Sequence, residues 1–118
     1  MTKIISCCLL IALFAIPQSA MSSAPNCSGP DNWPSGMAFT YLKNAGLLQN
    51  ETTDFSKTKV VRLASEKIGD DLYRQVHEIT FTKKSGQTLT AVTVNDASNQ
   101  ECSMSGVRVF VVSQQLGE

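Results

Sequence analysis

The stretch DLYRQVHEITFTK, residues 71–83, decides the fold: Tyr73, Gln75, His77, Ile79 and Phe81 alternate with Arg74, Val76, Glu78 and Thr80. Period two is the signature of a strand with one covered face. β-Branched and aromatic residues dominate from position 58 onward, and punctuation divides this region into four extended segments, 58–67, 71–83, 87–95 and 103–114. The breaks are Gly69-Asp70, Lys84-Ser85-Gly86 and the longer run from Asp96 to Glu101. Links this short predict an antiparallel meander. From Val107 to Val112 both faces are apolar, which predicts a last strand that is central or covered on both sides.

Upstream, residues 23–33 are rich in Ser, Asn, Gly and Pro and read as an irregular lead-in. A helix is expected over 35–46. Ser35 serves as N-cap, and Met37, Ala38, Tyr41, Leu42 and Ala45 recur at helical spacing as one apolar stripe. Gly46 takes the left-handed position after the last turn, with Leu47 placed to touch Leu42, the contact that accompanies a Schellman ending. A helix with one apolar stripe and a sheet with one apolar face bury each other. The expected fold class is α+β, one helix packed on a four-stranded antiparallel meander.

That order of elements, with Cys102-Ser103 opening the last strand, resembles the cystatin-like topology over residues 35–114. The resemblance implies a cystatin-like roll. It does not carry over protease inhibition, because cystatin inhibitors use a Gln-x-Val-x-Gly first hairpin and a C-terminal Pro-Trp turn. Here the first hairpin reads Glu66-Lys67-Ile68-Gly69-Asp70-Asp71, and Trp33-Pro34 precedes the helix. The chain is also similar to small exported proteobacterial proteins with a like Arg62-Leu63-Ala64-Ser65-Glu66-Lys67-Ile68-Gly69 stretch and a like Glu101-Cys102-Ser103-Met104-Ser105 stretch, a group that implies no particular activity.

The N-terminus places the protein. Residues 4–16 are mostly apolar, stand behind a lone Lys3, and are followed by the small, polar run Pro17 to Ala24. Thirteen residues span about 20 Å as a helix, short of the roughly 30 Å hydrocarbon layer, so the segment reads as a cleaved signal peptide rather than a stable membrane anchor. Cleavage after Ser22, with Ala20 at −3, leaves 23–118 as a single small α+β domain. A periplasmic or secreted location follows. Ala24-Pro25-Asn26 before Cys27 is a poor lipobox, and the sequons at Asn26 and Asn50 read as chance.

Of the four cysteines, Cys7 and Cys8 leave with the signal, and Cys27 and Cys102 have one possible pairing in an oxidising compartment. Closing a loop of about 76 residues is worth about 4.5 kcal/mol by chain entropy, against the roughly 2–4 kcal/mol typically found. Two free buried thiols are the alternative. Two cysteines and one distant histidine do not make a zinc tetrad, so no metal and no cofactor are expected. The full chain has ten basic and ten acidic residues, and losing Lys3 leaves a slight acidic excess. No nucleic-acid partner is implied.

A meander brings Glu66, Asp70, Asp71, Asp96 and Glu101 to one end, relieved by Lys67, and Lys57, Lys59, Lys83 and Lys84 to the other, with Glu51 and Asp54. Asp70, Asp71, Asp96 and Glu101, with Trp33 as an exposed aromatic anchor, form the candidate binding surface. Each has an ordinary role too: solvated loop carboxylates, and an indole packed over the helix start. Loop 95–101 lacks the ligand spacing and central glycine of an EF-hand. His77 is expected as a partly buried, hydrogen-bonded structural histidine, its neighbour Glu78 pointing to the opposite face. No serine sits in a nucleophile elbow. Arg62, Arg74 and Arg108 are expected on one sheet face, as an anion site or as cross-strand partners. Without a catalytic grouping, the reading is a non-enzymatic exported module that binds a protein or envelope component, an inhibitor or immunity factor being one form of it. The alternative is a small secreted hydrolase using the acidic loops or His77.

Overall fold

Helix α1 (Trp33–Asn44) leads, through a short 3-10 turn at Phe55–Lys57, into strands β1 (Lys59–Gly69), β2 (Leu72–Thr82), β3 (Thr88–Ala97) and β4 (Arg108–Val112). The computed structural model describes residues 23–118; the expected signal peptide, 1–22, lies outside the described residues. The strands form one antiparallel sheet in the order β1-β2-β3-β4, with α1 packed on one face. The expected fold class is the observed one. Among the described residues, no helix is long and apolar enough to cross a membrane.

Alternation in β2 does what its side chains dictate. Tyr73, Gln75, His77, Ile79 and Phe81 are all buried, and β3 answers with Ala91, Thr93, Asn95 and Ala97. The register sets Gln75 opposite Asn95, His77 opposite Thr93 and Ile79 opposite Ala91. The apolar core is therefore confined to one half of the inner face, where Ile79, Phe81 and Ala91 meet Ala38, Leu42 and Leu48, flanked by Phe39, Val60, Leu89 and Val109. Phe39 sits edge-on to Phe55 at 4.9 Å and 6.0 Å from Phe81, ring centre to ring centre.

Several expectations are corrected along α1 and β4. The helix starts two residues early, with Asn32 as N-cap and Pro34 in the first turn, where its missing N–H is one the helix leaves unpaired anyway. Ser35 is therefore inside the helix, and its hydroxyl donates to Gly29 O. The buried stripe is Pro34, Ser35, Ala38 and Leu42, while Tyr41 and Ala45 are exposed. The Schellman ending stands: Gly46 has φ +76, its N–H donates to Lys43 O, and Leu47 N–H donates to Leu42 O, both at 2.9 Å. It is Leu48, not Leu47, that then drops into the core.

The fourth strand is much shorter than expected. Residues 98–107 are spent on a loop that closes on itself through Ser98 N–H to Glu101 O and docks back on β3 through Met104 N–H to Asp96 O and Asp96 N–H to Ser105 Oγ. Cys102 thus lies in that loop and does not open the strand. Nor is β4 central: it is an edge, and its two apolar faces reflect partial exposure on both sides.

Cys27 and Cys102 form a disulfide with Cα atoms 5.8 Å apart. It pins the lead-in to the 98–107 loop. The end of the sheet carrying the Asp70-Asp71 turn also carries that loop, as the meander requires: Asp71 Oδ1 accepts hydrogen bonds from Asn99 N–H and Nδ2.

Candidate functional site

Three places in the molecule have a chemistry that packing alone does not account for. The first is inside. Gln75 and His77 on β2 and Thr93 and Asn95 on β3 form a two-by-two patch on the inner face, each at most 2% exposed. Residues 25–27 and the start of α1 accompany it, with Pro25, Cys27, Pro34 and Ser35 all buried. Gln75 Nε2 donates to Pro25 O at 2.9 Å and to Ser65 Oγ, and Arg62 Nη1 reaches the same Pro25 carbonyl at 3.3 Å. Asn95 Nδ2 donates to Cys102 O at 2.9 Å. Lead-in and loop, joined by the disulfide, are thus also joined to the polar half of the sheet.

Both nitrogens of His77 lack a hydrogen-bond partner, as do Gln75 Oε1, Thr93 Oγ1 and Asn95 Oδ1. His77 is therefore more buried and less satisfied than expected. Burial, and then the charge of Arg62 opposite it, pushes its pKa below 6.5, so the ring is neutral near pH 7. The ring is fully enclosed.

The acidic end is the second place. Trp33, Asp71, Asp96 and the 98–107 loop do come together there, but largely through bonds to one another. Trp33 Nε1 donates to Ser105 O, and the Ser105 hydroxyl accepts from Asp96 N–H. Asp96 pairs with Arg74 at 3.0 Å, and Arg74 also stands opposite Glu66 across β1. Arg74 thus offsets the acidic cluster alongside Lys67, a neutralisation that reading along the chain missed. Asp71 is engaged by Asn99, and Glu101 accepts from Ser103 Oγ at the long distance of 3.5 Å. Asp70 lies exposed in the turn, and Trp33 remains 39% exposed. Among the described residues no group of acidic, histidine or cysteine side chains is placed to hold a metal ion. Arg62, Arg74 and Arg108 do not share a face: Arg62 sits beside inward-facing His77, whereas Arg74 and Arg108 pair with the outward-facing row of β3.

The third place was not anticipated. Between the end of α1 and the inner face of β4 runs an apolar groove of about 270 Å³, walled by Tyr41, Leu42, Ala45, Leu47, Val107, Val109 and Val111. It exists because α1 crosses β2 and β3 and leaves β4 half covered. Along the groove lies the open edge of β4, with Phe110, Val111 and Val112 exposed. The two edges of the sheet differ in kind. β1 carries two register shifts and Lys59, Arg62, Glu66 and Lys67, features that blunt an edge, whereas β4 is regular and has Arg108 alone. The signal was present in Val107 to Val112, whose two apolar faces suit an edge that is to be covered as well as they suit a central strand.

No family model, no curated protein and no solved structure matches this chain.

Proposed function

We propose that this protein is an exported, non-enzymatic binding module that takes an extended segment of a partner protein along β4. The observation that carries the reading is the regular, unblunted edge of β4 lying beside an apolar groove. Strand addition draws affinity from main-chain hydrogen bonds at such an edge and selectivity from pockets for alternate side chains. Here the partner's inward side chains would enter between Tyr41, Leu47 and Val111, and its outward ones would lie beside Phe110. The Cys27–Cys102 disulfide supports a periplasmic or secreted location, where such a bond persists. It also holds the fold rigid, so little ordering of the module opposes binding. A helix on a four-stranded meander is the arrangement of the cystatin-like roll, and binding by a rigid scaffold rather than by catalysis agrees with that likeness. An inhibitory or immunity role is one form the binding could take.

The test is affinity capture by the mature domain from periplasmic, envelope and medium fractions, with wild type, Val111→Lys and Trp33→Ala run in parallel. A component retained by wild type and W33A but lost with V111K supports the reading. Retention by V111K with loss by W33A moves the site to Trp33, Asp70, Asp71, Asp96 and Glu101 and overturns it.

A further inference from the structure

We propose that the outer face of the sheet pairs with the same face of a second copy of this chain, in a symmetric dimer. α1 and the lead-in lie on the inner face. On the outer face the ladders set Val76, Val94 and Arg108 in one row across β2, β3 and β4, Glu78, Val92 and Phe110 in the next, and Thr80, Thr90 and Val112 in a third. These side chains point outward because they alternate with the buried residues of β2 and β3 and with the groove-lining residues of β4. Val76, Val92 and Val94 are half-buried, and Phe110 and Val112 are exposed. Strands apolar on both faces suit a sheet that is covered on both. Ser113, Gln114 and Gln115 border this face beyond Val112 and put no apolar side chain on it, and Leu116 after them is 88% exposed.

The charges on this face identify the occupant. Glu78, Val76, Arg108 and Phe110 are the corners of a block two rows deep and three strands wide, with Val92 and Val94 at its centre. Glu78 and Arg108 stand on one diagonal, Val76 and Phe110 on the other. Among the described residues neither charged side chain is in an ion pair or a hydrogen bond. Two strands and one row separate them, roughly 12 Å, too far to meet within one copy. A two-fold axis lying between two copies along the Val76–Phe110 diagonal sets each copy's Glu78 over the other's Arg108, with the valines and Phe110 packed between the two pairs. The strands of the two sheets then cross steeply, as in orthogonal sheet packing. An isologous interface requires one patch to complement itself, and opposite charges on one diagonal with apolar residues on the other meet that requirement.

The pairing uses neither the backbone edge of β4 nor the groove beside α1. It therefore stands whether or not a partner strand is taken along that edge.

The experiment is sedimentation equilibrium of the oxidised mature domain from micromolar to near-millimolar concentration. Expected is a reversible monomer–dimer equilibrium in wild type. Glu78→Arg and Arg108→Glu each turn two attractive contacts into two repulsive ones and should weaken the dimer at least about tenfold. The doubly changed E78R/R108E should restore it, and an equimolar mixture of the two single variants should form the mixed dimer. A wild type that stays monomeric over the whole range overturns the proposal. So does a dimer that the single variants leave intact, or one that only Val111→Lys dissociates, which places the contact at the β4 edge. Where a charge reversal unfolds the domain, Phe110→Ser at the exposed corner takes its place, and an unweakened dimer in that variant equally overturns the proposal.

Discussion

Arg62 stands directly opposite His77 across the β1–β2 ladder, a cation facing a buried imidazole. Burial first and the Arg62 charge second hold the ring below its ordinary pKa of 6.5. The unfolded chain therefore takes up a proton at a pH where the folded protein does not. Stability is complete above about pH 6.5 and is lost as pH falls through the interval down to the depressed folded value, with a slope of at most about 1.4 kcal/mol per pH unit. The Asp54 carboxylate, held below 3.8 chiefly by the Ser56 hydroxyl, titrates in a separate and more acid window. Urea midpoints measured from pH 7.5 to 4.5 should fall through the first window. In Arg62→Gln the His77 resonances should titrate at higher pH than in wild type, and the fall in stability should shrink. A wild-type His77 titrating at or above 6.5 would refute the account.

Removing the disulfide by Cys27→Ser with Cys102→Ser should cost about 2–4 kcal/mol. A domain of about 96 residues has roughly 5–14 kcal/mol in all, so the loss is a large fraction. Cys27 is completely buried, and the bond ties the covering segment to the 98–107 loop. The damage should accordingly appear first as faster amide exchange around Gln75 and Asn95, ahead of Ile79 and Phe81. Uniform loss of protection across the sheet would contradict this division of the core.

How far the sequence was legible follows the same division. The period-two run of β2, the Gly46-Leu47 helix ending and the single cysteine pairing each rest on local rules, and the structure agrees with them at those residues. The helix start was misplaced because Pro34 reads equally as the end of a loop and as the first turn of a helix. β4 starts later than expected because its strand-like residues begin only at Val107: Ser103-Met104-Ser105-Gly106 carries little strand propensity, and Met104 N–H goes to Asp96 O. Gln75 and His77 were rightly assigned to the face of Ile79 and Phe81, but that the polar pair would be sealed opposite Thr93 and Asn95 depends on the β2–β3 register. The groove needed both the edge position of β4 and the rotation of α1, and neither is a property of one segment.

Gly46 offers a test of backbone strain with little packing in it. Its φ is +76, and a Cβ built there meets nothing within 4 Å. Gly46→Ala should therefore cost about 1–2 kcal/mol, the price of a left-handed conformation for an L side chain, and Gly46→Asn less. Equal stability of all three proteins in chemical denaturation would show that the ending relaxes.

The groove allows folding and binding to be separated by two residues that share its wall. Leu42 is 2% exposed and belongs to the apolar core, so Leu42→Ala should lose about 2–5 kcal/mol through burial and cavity terms. Val111 lies on the opposite lip and is 45% exposed, so a lysine there can carry its charge to water, and Val111→Lys should stay within about 0.5 kcal/mol of wild type. Thermal unfolding of both variants measures this directly. If V111K is as damaging as L42A, the lip of β4 is part of the core and not a surface kept open for a partner strand. With V111K stable, loss of captured partner reports on the edge itself rather than on the fold.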